Sequence, residues 1–182
     1  MEEGYKELFI VISQTGSFIS RLLKFITGAE FNHVSLCLKS DLKLMYSFGR
    51  KKPYFPFPGG FVLESPDFGT FKFFSNTNIL VLGLKIDSKK YHLIEEHINN
   101  MLLQQKKYKY NYIGVVLAGF KICYKSPNKY YCSEFVRDIL YIHNVKGTEK
   151  ICGIVEPMDF INLPDITHIY SGKLKNYCVN EG

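Results

Sequence analysis

No two cysteines in this chain are spaced as CxxC. The five, at positions 37, 123, 132, 152 and 178, therefore suggest neither a zinc site nor a thioredoxin-type redox pair. An odd count without a secretory signal points to a reducing, cytoplasmic compartment. The basic start and apolar middle of a signal peptide are lacking too. Met1-Glu2-Glu3-Gly4-Tyr5-Lys6-Glu7 is polar and acidic, so the chain as it stands is expected to be the mature one. No apolar run approaches the roughly 18 residues that a membrane-spanning helix needs. The longest candidate, Ile113 to Phe120, is far shorter and holds two glycines, so a soluble protein without a transmembrane segment is expected. Internal repeats, low-complexity tracts and linker-like breaks are also missing, and 182 residues read as one domain, 1–182, with a single substantial core. The net charge of +6 is scattered, Arg50-Lys51-Lys52 being its only three-residue run. With no nucleic-acid motif beside it, this charge reads as solvated surface, and no nucleic-acid partner is expected. His92 and His97 lie five apart and share no helical face, so no metal site is expected of them, and no cofactor is implied.

What the chain does have is concentrated in Tyr130-Tyr131-Cys132-Ser133-Glu134-Phe135-Val136-Arg137-Asp138-Ile139-Leu140. Counted from Cys132, the apolar Phe135, Val136, Ile139 and Leu140 fall on one face of a helix, and Glu134, Arg137 and Asp138 point away from it. The start signals lie upstream: Ser126 as N-cap with Pro127 at the first helical position, or Asn128 as a later cap. Either start leaves Cys132 on the inward face within the first turn or two. A thiolate there feels unpaired backbone N–H groups and the positive end of the helix dipole, which favour a nucleophile near neutral pH.

About a hundred residues earlier stands Phe31-Asn32-His33-Val34-Ser35-Leu36-Cys37-Leu38. Val34, Leu36 and Leu38 alternate as in a half-buried strand, with His33 at its entrance on the opposite face. Imidazole has the unperturbed pKa suited to taking a thiol proton and returning it to a leaving group. Taken together, a strand-borne Asn-His-Val-Ser and a much later Tyr-Cys-Ser-Glu-Phe-Val resemble the circularly permuted branch of the NlpC/P60 papain-like cysteine hydrolases. That branch includes the YaeF/YiiX-type enzymes and, more distantly, lecithin retinol acyltransferase. Ordinary papain-like enzymes place the cysteine before the histidine; the permuted branch reverses the order, as this chain does. The resemblance implies a catalytic Cys132 and His33, and a third polar group on a neighbouring strand that holds the imidazole. Tyr110 or Tyr112, just before the cysteine helix, would line the site by the same resemblance, and Tyr131 beside the cysteine joins them as a substrate-binding candidate.

The remaining chain reads as follows. Leu8 to Ile12 is a central strand covered on both faces. A short helix runs from Thr15 or Ser17 to Gly28. Leu42 to Phe48 forms a hairpin partner of the His33 strand and offers Ser47 as the third residue, with Tyr46 as an out-of-register possibility and as a fourth substrate-binding candidate. Glu64, on the strand Phe61–Glu64, is a charged substitute for which spacing gives no support. Arg50 to Phe61, with three prolines and four aromatic residues, reads as a loop that can wall a substrate cleft. Thr70–Phe73 and Ile79–Ile86 read as strands, Asp87 or Ser88 caps a helix through Gln105, and Ile166–Gly172 closes the sheet with His168 as a reserve base.

The expected fold is α+β: a mostly antiparallel sheet carrying His33 and Ser47, packed on a helix layer in a permuted papain-like arrangement. The expected function is a cysteine amidase or peptidase working through a thioester on a peptide, such as a cell-wall peptide fragment. Acyl transfer or lipid-ester hydrolysis on an acyl-containing small molecule uses the same site. From another class, a non-catalytic binding module on a hydrolase scaffold fits the lack of an acidic third residue in the hairpin register.

Overall fold

A computed structural model describes residues 4–15 and 31–178. The helix expected between Thr15 and Gly28 lies outside the described residues. Among the described residues, eight strands form one sheet in the order β7-β6-β4-β3-β2-β1-β5-β8. They are β1 (Tyr5–Gln14), β2 (His33–Cys37), β3 (Met45–Lys52), β4 (Phe55–Glu64), β5 (Asn78–Asp87), β6 (Lys109–Tyr110), β7 (Lys129–Tyr130) and β8 (Ile166–Lys173). Every pairing is antiparallel except β6 with β7. Among the described residues the α-helices are α1 (Gly69–Phe73), α2 (Ser88–Leu103), α3 (Tyr112–Gly119) and α4 (Cys132–Ile142). The protein is therefore a mixed α+β fold on an open, mostly antiparallel sheet. Among the described residues no helix is long and apolar enough to cross a membrane.

The unbroken apolar run of β1 is buried on both faces of the sheet. Leu8, Ile10 and Ile12 join a core with Val34 and Leu36 of β2, Leu80 and Leu82 of β5, and the inward faces of α2 and α4. Phe9 and Val11 point the other way, into a smaller core with Cys37, Met45, Phe71 and Leu174. Alternation thus gives β1 two apolar faces to bury, as expected of a strand in mid-sheet. Asp87 caps α2 through hydrogen bonds from the N–H groups of Lys89 and Lys90, at 2.8 and 3.3 Å.

Three expectations change. Residues 50–61 are not a loop but the turn of a long β3–β4 hairpin, whose register shifts between Arg50 and Lys52. Proline is tolerated there because β4 meets β6 only at Gly60, so its Pro-bearing half has no second ladder to supply with donors. Thr70–Phe73 is not a strand: it belongs to α1, which buries only Phe71. Four alternating residues are too few to separate strand from helical turn. The cysteine helix does not begin at Ser126 or Asn128. Asn128 sits at φ 57° in a turn, Lys129 and Tyr130 pair with β6, and Cys132 is the first residue of α4.

Candidate active site

The site forms where the sheet opens. The β2–β3 ladder is paired only at Leu36↔Tyr46 and Cys37↔Met45, whereas on its other side β2 stays in register with β1 as far as Ser13↔His33. At its His33 end β2 has thus lost its β3 partner. Ser47 answers that loss. Its hydroxyl donates to the Val34 carbonyl at 2.7 Å, replacing a ladder bond in a fully buried setting. Ser47 is therefore not the group that orients His33, because its single proton is committed to the backbone. Ser47→Ala is expected to cost about 1 kcal/mol in thermal or urea unfolding, with the Glu64–His33 geometry, and any turnover that depends on it, unchanged.

Glu64 holds the ring instead. Both its oxygens lie 3.0 Å from His33 Nε2, and Ser35 Oγ donates to Oε2 at 2.6 Å. The hairpin explains the reach. Glu64 pairs with Met45 and Val62 with Ser47, so alternation puts Glu64, Ser35 and His33 on one face, and Gly49 leaves the space between them free of side chain. A Cβ at Gly49 would stand 3.6 Å from Glu64 Oε1 and 3.7 Å from His33 Cε1. Phe71 meets the imidazole edge-on at 6.4 Å. Burial opposes charge on His33, but the Glu64 carboxylate, hydrogen bonds that the ring donates to Cys132 and Glu64, and the charge of Cys132 outweigh it and push the ring up to about 10. For Glu64 the opposition of burial is likewise overcome, by His33, Ser35 and Arg50, and its carboxyl is held below the usual range. A buried imidazolium–carboxylate pair results, with Cys132 acting on the same ring. Ser35 and Arg50 were missed in the sequence. The i, i+2 spacing from His33 to Ser35 was the one signal available.

Cys132 owes its place to polar bonds at the start of α4. Glu134 does not point to solvent: it is buried and accepts from the Tyr131 N–H at 3.1 Å and from Asn111 Nδ2 at 3.3 Å. Asn111 also caps α3, its Oδ1 accepting from the Gly114 N–H at 3.0 Å. The side chain of Ser133 donates to the Val155 carbonyl at 2.6 Å. These bonds fix the first turn of α4 to α3 and to the segment after residue 150. Arg137, expected outside, is also buried and pairs with Asp138 at 2.9 Å.

Cys132 opens on a cavity of about 110 Å³ whose wall includes Tyr110, Tyr131, Val115, Ala118, Val155 and Met158. Of the four tyrosines named as substrate-binding candidates, Tyr110 and Tyr131 thus reach the cavity. The Tyr131 hydroxyl accepts from the Val155 N–H at 3.4 Å. Burial keeps the Tyr110 phenol protonated well above its usual range, and the charge of Cys132 adds to this. Tyr112 stands behind it, its ring 4.8 Å from that of Tyr110. Tyr46 is elsewhere: it is buried in the main core, paired with Leu36. His168 is exposed on the edge strand β8, separated from β2 by β5 and β1. His92 and His97 bond different partners, Glu95 at 3.3 Å and His143 at 3.0 Å. No group of three or more His, Cys, Asp or Glu among the described residues is placed to hold a metal ion.

In comparisons with known proteins, no family model, no curated protein and no solved structure matches this chain.

Proposed function

We propose that the protein is a cysteine hydrolase of the permuted papain-like (NlpC/P60) kind, cleaving an amide through a thioester, with Cys132 as nucleophile, His33 as acid and base, and Glu64 as the group that orients His33. The observation that carries this reading is a cysteine at the first residue of a helix beside an imidazole whose Nε2 is held by a buried carboxylate. Those three roles recur on unrelated folds in nucleophilic cysteine and serine chemistry, whatever the chain order.

The steps follow from the geometry. Glu64 occupies Nε2, so Nδ1 is the nitrogen that exchanges a proton with the thiol. Sγ of Cys132 attacks the substrate carbonyl carbon, forming a C–S bond. Charge moves onto the carbonyl oxygen, where N–H groups of the first turn of α4, unpaired within a helix, and the protonated Tyr110 phenol can donate to it. The C–N bond breaks, its electron pair stays on nitrogen, and the His33 proton goes to the departing amine. Water then loses a proton to His33 as its oxygen attacks the thioester, and the C–S bond breaks to release acid and regenerate Cys132. Glu64 gives His33 the acidic partner whose absence would favour a non-catalytic binding module.

A second reading is favoured by the cavity wall. Val115, Ala118, Val155 and Met158 offer apolar contact and few donors, which suits the acyl chain of a lipid ester better than a charged peptide. The same thioester then passes to water or to an acceptor hydroxyl or amine. Intact-mass analysis after mixing with peptide amides and with acyl esters separates the two. A mass gain at Cys132 equal to the acyl part, absent in Cys132→Ala, is the expected result. No adduct with either class, or an adduct that survives Cys132→Ala, would overturn the assignment.

A further inference from the structure

The exposed apolar surface beside the cavity is larger than the chemistry needs. α3 is apolar around most of its circumference, yet among its residues only Gly114 is buried. Val115 and Ala118 turn toward the Cys132 cavity, while Val116 is 61% exposed. The chain then runs through seven consecutive exposed residues, Gly119 to Lys125. Within them Phe120 is 74% and Ile122 52% exposed, and Lys121 and Lys125 alternate with the apolar groups. The tip of the β3–β4 hairpin continues this face, because the ring of Phe57 lies 4.5 Å from that of Tyr112 at the start of α3. Phe57 is itself 62% exposed, as are Tyr54 and Phe55 to a similar degree. Contiguous apolar surface of this kind marks an interaction site.

Charge says what kind of partner it fits. Both chain segments that build the face lack acidic residues altogether. The hairpin tip carries Lys51 and Lys52 and the segment after α3 carries Lys121 and Lys125, with no Asp or Glu among residues 50–61 or 112–125; Asp138 of α4, 3.9 Å from Lys125, is an acidic group at the edge of the face. A surface that offers aromatic and aliphatic groups in the midst of cations of one sign is the pattern of a helix lying at a lipid–water boundary. Apolar groups enter the acyl region and lysines meet anionic headgroups. A protein partner of ordinary polarity would call for mixed charge at the rim.

We infer that α3, the Phe120–Lys125 segment and the β3–β4 hairpin tip form one face that docks the protein on an anionic bilayer surface, with the Cys132 cavity opening beside it. The docking is independent of the cysteine chemistry: it rests on apolar exposure and charge, and it places the cavity next to the headgroup region whichever substrate enters.

Flotation of the full chain with vesicles tests this. The protein is expected to float with vesicles containing phosphatidylglycerol, to float poorly with phosphatidylcholine alone, and to be released as salt is raised. Val116→Glu with Phe120→Glu is expected to lower partitioning about tenfold or more, since each side chain would otherwise bury most of an apolar group, with the unfolding temperature unchanged. Cys132→Ala should float as the unaltered chain does, so that failure of the hydrolase reading leaves this result untouched. Absence from vesicles of both compositions, or partitioning that the double substitution leaves unchanged, overturns the proposal. So does a dimer in solution that the same substitutions dissociate in a protein that never floats, which would assign the face to a second copy.

Discussion

Glu64→Gln is expected to lower kcat/KM by roughly 10²–10⁴-fold with little change in the unfolding temperature, the range associated with losing a carboxylate that fixes a catalytic imidazole. The amide is nearly the same shape as the carboxylate, so the loss measures charge and tautomer rather than packing. The pH profile carries the sharper signature. With Glu64 in place His33 stays charged up to about pH 10, because the carboxylate and Cys132 outweigh the burial that would lower it. A proton donor to the leaving group must be in its charged form, so kcat/KM should fall as pH rises through about 10. Removing the charge of Glu64 leaves burial less opposed, and the falling limb must move to lower pH. Glu64→Asp, which keeps the charge on a shorter arm, should restore the limb more fully than the rate. Ser35→Ala removes only the 2.6 Å hydrogen bond to Oε2 and should give a smaller shift in the same direction. A Glu64→Gln enzyme with an unmoved alkaline limb would show that the 3.0 Å contact is a structural ion pair with no part in proton transfer.

That the Glu64–His33 pair had to be found in three dimensions, whereas the placing of Cys132 at a helix start and of His33 at a strand entrance could be read from the chain, follows from the distance over which each signal acts. Cys132 is announced by its own neighbours, since an apolar stripe of helical period counted from a cysteine fixes which face the thiol occupies. His33 is announced by the alternation that follows it. The apolar run of β1 and the Asp87 cap of α2 are local in the same sense, and each is found where its pattern put it. The partner of His33 depends on how far two hairpins zip, which local sequence does not encode. Reading 50–61 as a loop cut β4 short and left Glu64 unplaced. Once β4 is seen to run Phe55–Glu64 against β3, the carboxylate falls on the face of His33. Ser47 failed for a related reason: its expected role assumed a complete β2–β3 ladder, and the ladder stops before the site. Glu134 shows a third kind of miss. Charge at an outward helical position normally means solvent, but the first turn of a helix presents unpaired N–H groups, and a glutamate three residues on folds back to take one.

Alkylation of the five thiols is expected to be led by the least exposed reactive one. Cys123, Cys152 and Cys178 are exposed and will react at the pace of ordinary surface cysteines. Cys37 shares the sheet face of His33 but is sealed. It is fully buried, its thiol donates to the carbonyls of Lys39 and Leu44 at 3.1 Å each, and burial pushes it up to about 11. Cys132 is only 5% exposed, but it opens on a cavity wide enough for a small reagent and has the imidazolium of His33 beside it. A cation and a helix start beside a thiol both raise its reactivity toward haloacetamides. Substoichiometric iodoacetamide near neutral pH should therefore label Cys132 first and Cys37 last, as read by peptide mass mapping. His33→Ala should slow labelling of Cys132 by about tenfold or more, while the three exposed thiols keep their rates and so serve as internal standards. Glu64→Gln should slow it less, since it weakens the positive charge on the ring without removing the ring. If the exposed cysteines outpace Cys132, or if Cys132 reacts equally fast without His33, the pair is a packing contact and the nucleophile assignment fails.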